Sequence, residues 1–212
     1  EGMPWDNIKV GVQLTPSRKA MIKDVNKLTP LVSDTFLPME SLGYGGLGAG
    51  WGLGAYVYSV EELKKSGLDP MEMNPAYQTI ADRIGISVGN GDIRSYLVGD
   101  LKNTQPPLNM DNSVNKIAET YKKKKPFFEK NRIKFGHPSM AILTRDLGDR
   151  KAVSYHDMDF YTDIGRSAYR SWYTIESLKS KPNFRYINKQ LVLKFAENNG
   201  RTIVNSKNVE TG

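Results

Sequence analysis

The residues able to ionise, ligate or attack form a small stock in this chain. Its 212 residues include no cysteine, which removes disulfides, thiolate metal sites and cysteine nucleophiles. The two histidines, His137 and His156, are too few for a three-histidine metal site. His156–Asp157–Met158–Asp159 reads either as a polar turn or as part of a metal or general-base site whose other ligands are not evident. Asp34 and Glu40 are a candidate carboxylate pair, but nothing in the sequence fixes the distance between them. No metal is expected, and no catalytic residue is assigned.

The densest signal carries no charge at all. SLGYGGLGAGWGLGAYVYS, residues 41–59, has glycine at Gly43, Gly45, Gly46, Gly48, Gly50, Gly52 and Gly54. Glycine lets main-chain N–H groups approach a flat or phosphorylated ligand with no Cβ in the way. The same spacing also serves a loop that packs closely on a neighbouring element. Residues 46–50 hold a GxGxG pattern without the spacing of a dinucleotide fingerprint or the lysine of a phosphate loop. The uncharged run is near the roughly 20 residues of a membrane helix. Each glycine, however, costs a helix about 1 kcal/mol, so no membrane span is expected.

These residues must be positioned by a mixed α/β chain. Residues 8–14 alternate like a half-buried strand, and 31–36 read as extended between Pro30 and Pro38. Ser59 is placed to cap a helix over 60–66 with Glu61 and Glu62 in its first turn. Asn74–Pro75 opens a second helix to residue 84, with proline at the first position. Further helices are expected over 113–125 and 165–179, the latter with Ala168, Trp172, Ile175 and Leu178 on one face. Strands are expected at 140–144, 184–187, 191–196 and 202–205, with Asn198–Asn199–Gly200 turning a hairpin between the last two. The net charge of +7 reads as a solvated basic surface or an anion-binding face. Lys122, Lys123, Lys124 and Lys125 before Pro126 look like a solvated helix end, and Phe127 and Phe128 like core or interface anchors. Tyr155, Phe160, Tyr161, Tyr169, Trp172 and Tyr173 read as core plus surface, or as the wall of a sugar pocket. No nucleic-acid module is recognised.

Residues 38–52, PMESLGYGGLGAGWG, resemble the glycine loop of the glucose–methanol–choline family of flavin-dependent oxidoreductases, notably its bacterial sugar-oxidase-like members. Residues 58–63, 74–77 and 81–86 are similar to the helix pair that follows that loop. A second, weaker match runs through 165–174, 182–187 and 191–195. The resemblance implies a flavin-binding part interleaved with a substrate-binding part. It implies FAD beside Gly45, Gly46, Leu47, Gly48, Ala49, Gly50 and Trp51, with the backbone of Val192 near the adenine. The implied reaction is oxidation of an alcohol or sugar hydroxyl with hydride transfer to flavin.

Three departures qualify this. No GxGxxG turn precedes residue 8, nothing matches the family's histidine-bearing segment, and no histidine lies in the glycine loop for a covalent flavin link. The expectation is therefore an internal fragment lacking the N-terminal Rossmann unit. Alone it would be inactive, hold FAD non-covalently at best, and dimerise or rearrange to cover exposed apolar surface. Its segments are 1–58 (flavin side), 59–182 (substrate side) and 183–212 (flavin-side strands). A non-catalytic carbohydrate- or anion-binding domain with a basic face is the alternative.

Overall fold

A computed structural model describes residues 22, 24–35, 39–154 and 163–212. The expected strand at 8–14, Phe36, the His156–Asp159 cluster, and Tyr155, Phe160 and Tyr161 lie outside them. The described chain combines short helices with a two-stranded antiparallel sheet, which agrees with a mixed α/β class. It divides into two compact units. One comprises Leu53–Tyr169, the other the residues up to Gly52 together with Arg170–Gly212. The expected breaks were at 58/59 and 182/183.

The Leu53–Tyr169 unit is built on a buried extended segment, residues 139–143. Ala141 and Leu143 are 0% exposed and Ile142 is 2% exposed. Solvent cannot satisfy such a backbone, so neighbouring segments must. Met140 and Ser87 exchange N–H···O bonds of 2.9 Å, and Ala141 N–H donates to Leu53 O at 2.8 Å. Leu143 N–H donates to Ser167 O at 2.9 Å, and Gln105 pairs with Ile86 and Val88. These are isolated bridges rather than strands. The strand expected at 140–144 is thus an extended segment shared among several partners.

Helices complete the unit. Before the first of them, in the other unit, comes a single turn, α1 (Val25–Leu28). α2 (Val60–Lys65) starts where Ser59 predicts, with a full capping box: Ser59 Oγ accepts from Glu62 N–H while Glu62 accepts from Ser59 N–H. α3 (Pro70–Ile84) begins five residues before the expected start at Pro75, because Asp69 caps it by accepting from Met71 N–H and Pro70, not Pro75, takes the first position. Pro75 lies inside it. Then come α4 (Arg94–Val98), which the sequence reading did not anticipate, α5 (Asn112–Lys123) and α6 (Lys125–Lys130). The lysine run spans the end of α5 and the start of α6, Pro126 falling in the first turn of α6.

Two residues lock the end of α3 to the extended network. Gly85, at φ +76°, has room only for hydrogen: a Cβ there would lie 2.2 Å from Leu143 Cδ2. Arg150, 7% exposed, donates from Nη1 to Ile84 O at 2.6 Å, from Nε to Arg166 O at 2.9 Å and from Nη2 to Ser167 O at 3.0 Å. One guanidinium thus satisfies a helix-end carbonyl and two loop carbonyls.

In the other unit, α7 (Ser171–Lys179) is shorter than the helix expected over 165–179. The preceding residues are held otherwise: Asp163 accepts from the N–H groups of Ser167 and Ala168, and Ala168 is buried in the Leu53–Tyr169 unit. β1 (Gln190–Asn198) and β2 (Arg201–Asn208) form the hairpin. Asn199 and Gly200, at φ +50° and +69°, occupy the two central positions of its turn, the signature of a type I′ geometry. Residues 184–187 form no strand; nothing in the hairpin pairs with them.

Candidate functional site

The glycine loop is positioned by α7. Gly45 is left-handed, and Gly46–Ala49 then make a single 3₁₀ turn closed by Gly46 N–H to Gly43 O at 2.8 Å and Gly50 N–H to Leu47 O at 3.0 Å. Ser171 Oγ–H donates to Gly45 O, and Arg170 Nη1 donates to Trp51 O at 3.0 Å. Tyr44 Oη–H donates to the Glu176 carboxylate. Lys179 Nζ sits 4.8 Å from the Tyr44 ring centroid, and Tyr186 meets Tyr44 edge-on at 5.3 Å. Desolvation first, and the Glu176 hydrogen bond second, raise the Tyr44 pKa above the ordinary phenol value.

The loop's small residues differ in what faces them. A Cβ on Gly45 would lie 2.9 Å from Ser171 Oγ and 3.1 Å from Trp172; one on Gly48 would lie 2.8 Å from Ser171 Oγ. At these positions glycine admits the first turn of α7. Gly46 has nothing within 4 Å of its Cβ direction, and Leu47 beside it is exposed. Ala49 and Gly50 are buried. Val192 lies on β1 next to the bulge between Val192 and Lys194, half exposed, and β1 packs against β2 whereas the 3₁₀ turn packs against α7.

A second site lies wholly within the Leu53–Tyr169 unit. A cavity of about 390 Å³ opens between residues 89–92, the 107–110 segment, α5 and residues 135–137. Asp111 caps α5, accepting from Ser113 N–H at 2.7 Å and Val114 N–H at 2.8 Å, and Asn115 Nδ2 ties it to Met110 O at 3.0 Å. Tyr121, buried on α5, packs against Phe128 and Phe135 at centroid distances of 5.1 and 5.7 Å. Its hydroxyl donates to Asp92, which also pairs with Lys125 at 3.2 Å. The Tyr121 hydrogen bond, then Lys125, hold the Asp92 carboxyl below its ordinary pKa.

Gly89 makes room for the ring of His137: a Cβ there would lie 2.7 Å from Nδ1. Burial first, then the charge of Lys122, push the His137 pKa down, so its imidazole is neutral near pH 7. Asp92 and Tyr121 also line an adjoining, more open cavity of about 650 Å³ with Tyr96, Arg132 and Lys134. Lys134 Nζ donates to Tyr96 Oη at 2.6 Å.

The 390 Å³ cavity joins an aromatic and apolar wall (Phe135, Tyr121, Met110, Pro107) to amides (Asn90, Asn115) and cations (Lys122, Lys125). That is the make-up of a small-molecule site, mostly apolar with a few convergent polar groups. Sequence reading missed it. Its signals were the Gly89–Asn90–Gly91–Asp92 turn and Gly136–His137, distant in the chain from the lysines they meet.

Among the described residues no group of three or more His, Asp or Glu is placed to hold a metal ion. Among them, no helix is long and apolar enough to cross a membrane. Compared with family models, curated proteins and solved structures, the chain finds no match.

Proposed function

We propose that this chain is a non-catalytic binding module for small anionic or sugar-like ligands, with its site in the 390 Å³ cavity of the Leu53–Tyr169 unit. One observation carries the reading: an aromatic wall, two amides and two lysines converge on a single concave volume of ligand size. Flat rings suit the C–H faces of a sugar, amides bond its hydroxyls, and the excess positive charge of +7 draws anions in. Titration calorimetry against sugars, sugar acids and sugar phosphates tests it. Ala118→Phe, which fills the cavity from α5, should weaken any binding by at least about tenfold. Binding that this substitution leaves unchanged lies elsewhere and sinks the reading.

A second reading, a piece of a flavin-dependent alcohol or sugar oxidoreductase, is favoured by the resemblance of residues 38–52 and by the open space at Gly46. The fit to FAD is confined to that face, where the Gly46–Leu47 backbone would lie against the cofactor; the Gly45 and Gly48 directions are filled by Ser171. When bound, the flavin would supply the hydride acceptor. Visible flavin absorbance in the purified or FAD-reconstituted protein, lost on Gly46→Val, supports this reading; a colourless protein after reconstitution counts against it.

A further inference from the structure

The binding reading leaves the ligand's charged group open, and the charges around the cavity narrow it. α5 presents Lys122, and the start of α6 presents Lys125. Lys125 is already matched, because Asp92 pairs with it at 3.2 Å and receives the Tyr121 hydroxyl as well. Among the described residues no salt bridge involves Lys122. His137 faces the same space from residues 135–137, and Gly89 leaves its ring the room to sit there. The other groups around it are Asn90 and Asp92 from the 89–92 segment and Asn115 and Tyr121 from α5. Lys134 lines the neighbouring cavity and is engaged with Tyr96.

We infer that the ligand is a sugar phosphate whose phosphate is seated between Lys122 and His137, and that binding it brings a proton onto His137. This rests on the binding reading above. A phosphomonoester carries close to two negative charges near neutral pH. Lys122 supplies one counter-charge, and imidazolium at His137 supplies a second that the free cavity does not hold. Burial and the lysine disfavour the charged ring while the site is empty. A dianion at hydrogen-bond distance reverses the sign of the local field. By linkage, the complex takes up a proton and tightens as pH falls toward 6.5. Asn90 and Asn115 remain for hydroxyls and Phe135 for the ring face.

The test is calorimetry on the whole chain with glucose, glucose sulfate and glucose phosphate, in buffers of different ionisation enthalpy, between about pH 6.5 and 8. The phosphate should bind at least about tenfold tighter than glucose, and its heat should vary with the buffer, reporting proton uptake. Lys122→Gln should lose about tenfold of that affinity, and His137→Gln should abolish the buffer dependence. The chain's two histidines make the ring resonance of His137 assignable by NMR in the unmodified protein. Its titration should move to higher pH when phosphate saturates the site. This second measurement stands even if His137→Gln fails to fold. Glucose binding as tightly as its phosphate, or a His137 titration that ligand does not move, overturns the inference while the binding module survives. No binding of any of the three, with Ala118→Phe indistinguishable from the unmodified protein, overturns both.

Discussion

Two glycine-bearing regions use the missing side chain in the same way and differ in what lies beside them. In the loop at 43–50, the space beside Gly45 and Gly48 is taken by Ser171 and Trp172, so the glycines let a helix approach. Around the cavity, Gly89 and Gly136 likewise admit His137 and Ile93, which a Cβ would meet at 2.7 and 2.8 Å, but the segments they belong to border an open volume. The loop is far denser in glycine and drew the attention of a sequence reading; the cavity segment is sparse and did not. Glycine density reports that something comes close to the backbone. Whether that is protein or ligand depends on residues far away in the chain.

Substitutions can break or sharpen this contrast, and the largest effect belongs to the packed kind. Gly85→Ala combines a left-handed backbone with a contact of 2.2 Å to Leu143. It should cost about 2–5 kcal/mol in denaturant unfolding, the sum of strain and overpacking. A loss under about 1 kcal/mol would mean the α3–Leu143 junction is looser than described.

Arg150→Met should cost about 3 kcal/mol, since it removes the guanidinium donors to the carbonyls of Ile84, Arg166 and Ser167. Thermal unfolding checks it.

Gly48→Ala should cost about 1–3 kcal/mol by overpacking on Ser171. A double-mutant cycle sharpens this, because the cost should largely vanish in a Ser171→Gly background. An equal cost in both backgrounds would show that something other than α7 demands the small residue.

One cavity-side glycine should be milder. A Cβ on Gly91 meets its nearest atoms at 3.5 Å, an ordinary contact, so Gly91→Ala should shift stability by less than about 0.5 kcal/mol while altering ligand affinity. The Asp92 carboxyl, held below its ordinary pKa, contributes stability that is present above the usual carboxylate range and lost as pH falls through its lowered value. Asp92→Asn should therefore flatten the acid limb of the stability–pH curve.

What was legible in the sequence was local. Ser59, with Glu61 and Glu62 after it, announced a helix start, and Asn198–Asn199–Gly200 announced a hairpin, because each signal and its consequence lie within a few residues. The start of α3 was misplaced because two prolines compete for the role of first residue, and only the Asp69 cap decides between them. The 165–179 helix was drawn too long because Asp163 captures the N–H groups of Ser167 and Ala168 in a turn. The network around 139–143 is written in no local period: Ser87 and Met140 meet across 53 positions. The cavity was hidden for the same reason. Lys122 read as part of a solvated helix end, as the spacing of α5 alone allows, and only the fold brings His137 to it.

The hairpin tip has a chemical consequence. An asparagine followed by glycine, with no side chain to shield the next amide nitrogen, is the dipeptide most prone to cyclise and lose its amide. At Asn199–Gly200 the product would insert an extra backbone carbon, as isoaspartate, into a turn with room for two residues. Each event exchanges a neutral group for a carboxylate, so stored protein should drift below its formal +7. Ion-exchange chromatography would resolve the acidic species, and peptide mapping should find the change at the tip between β1 and β2 and at the chain's other exposed Asn–Gly pair, Asn90–Gly91.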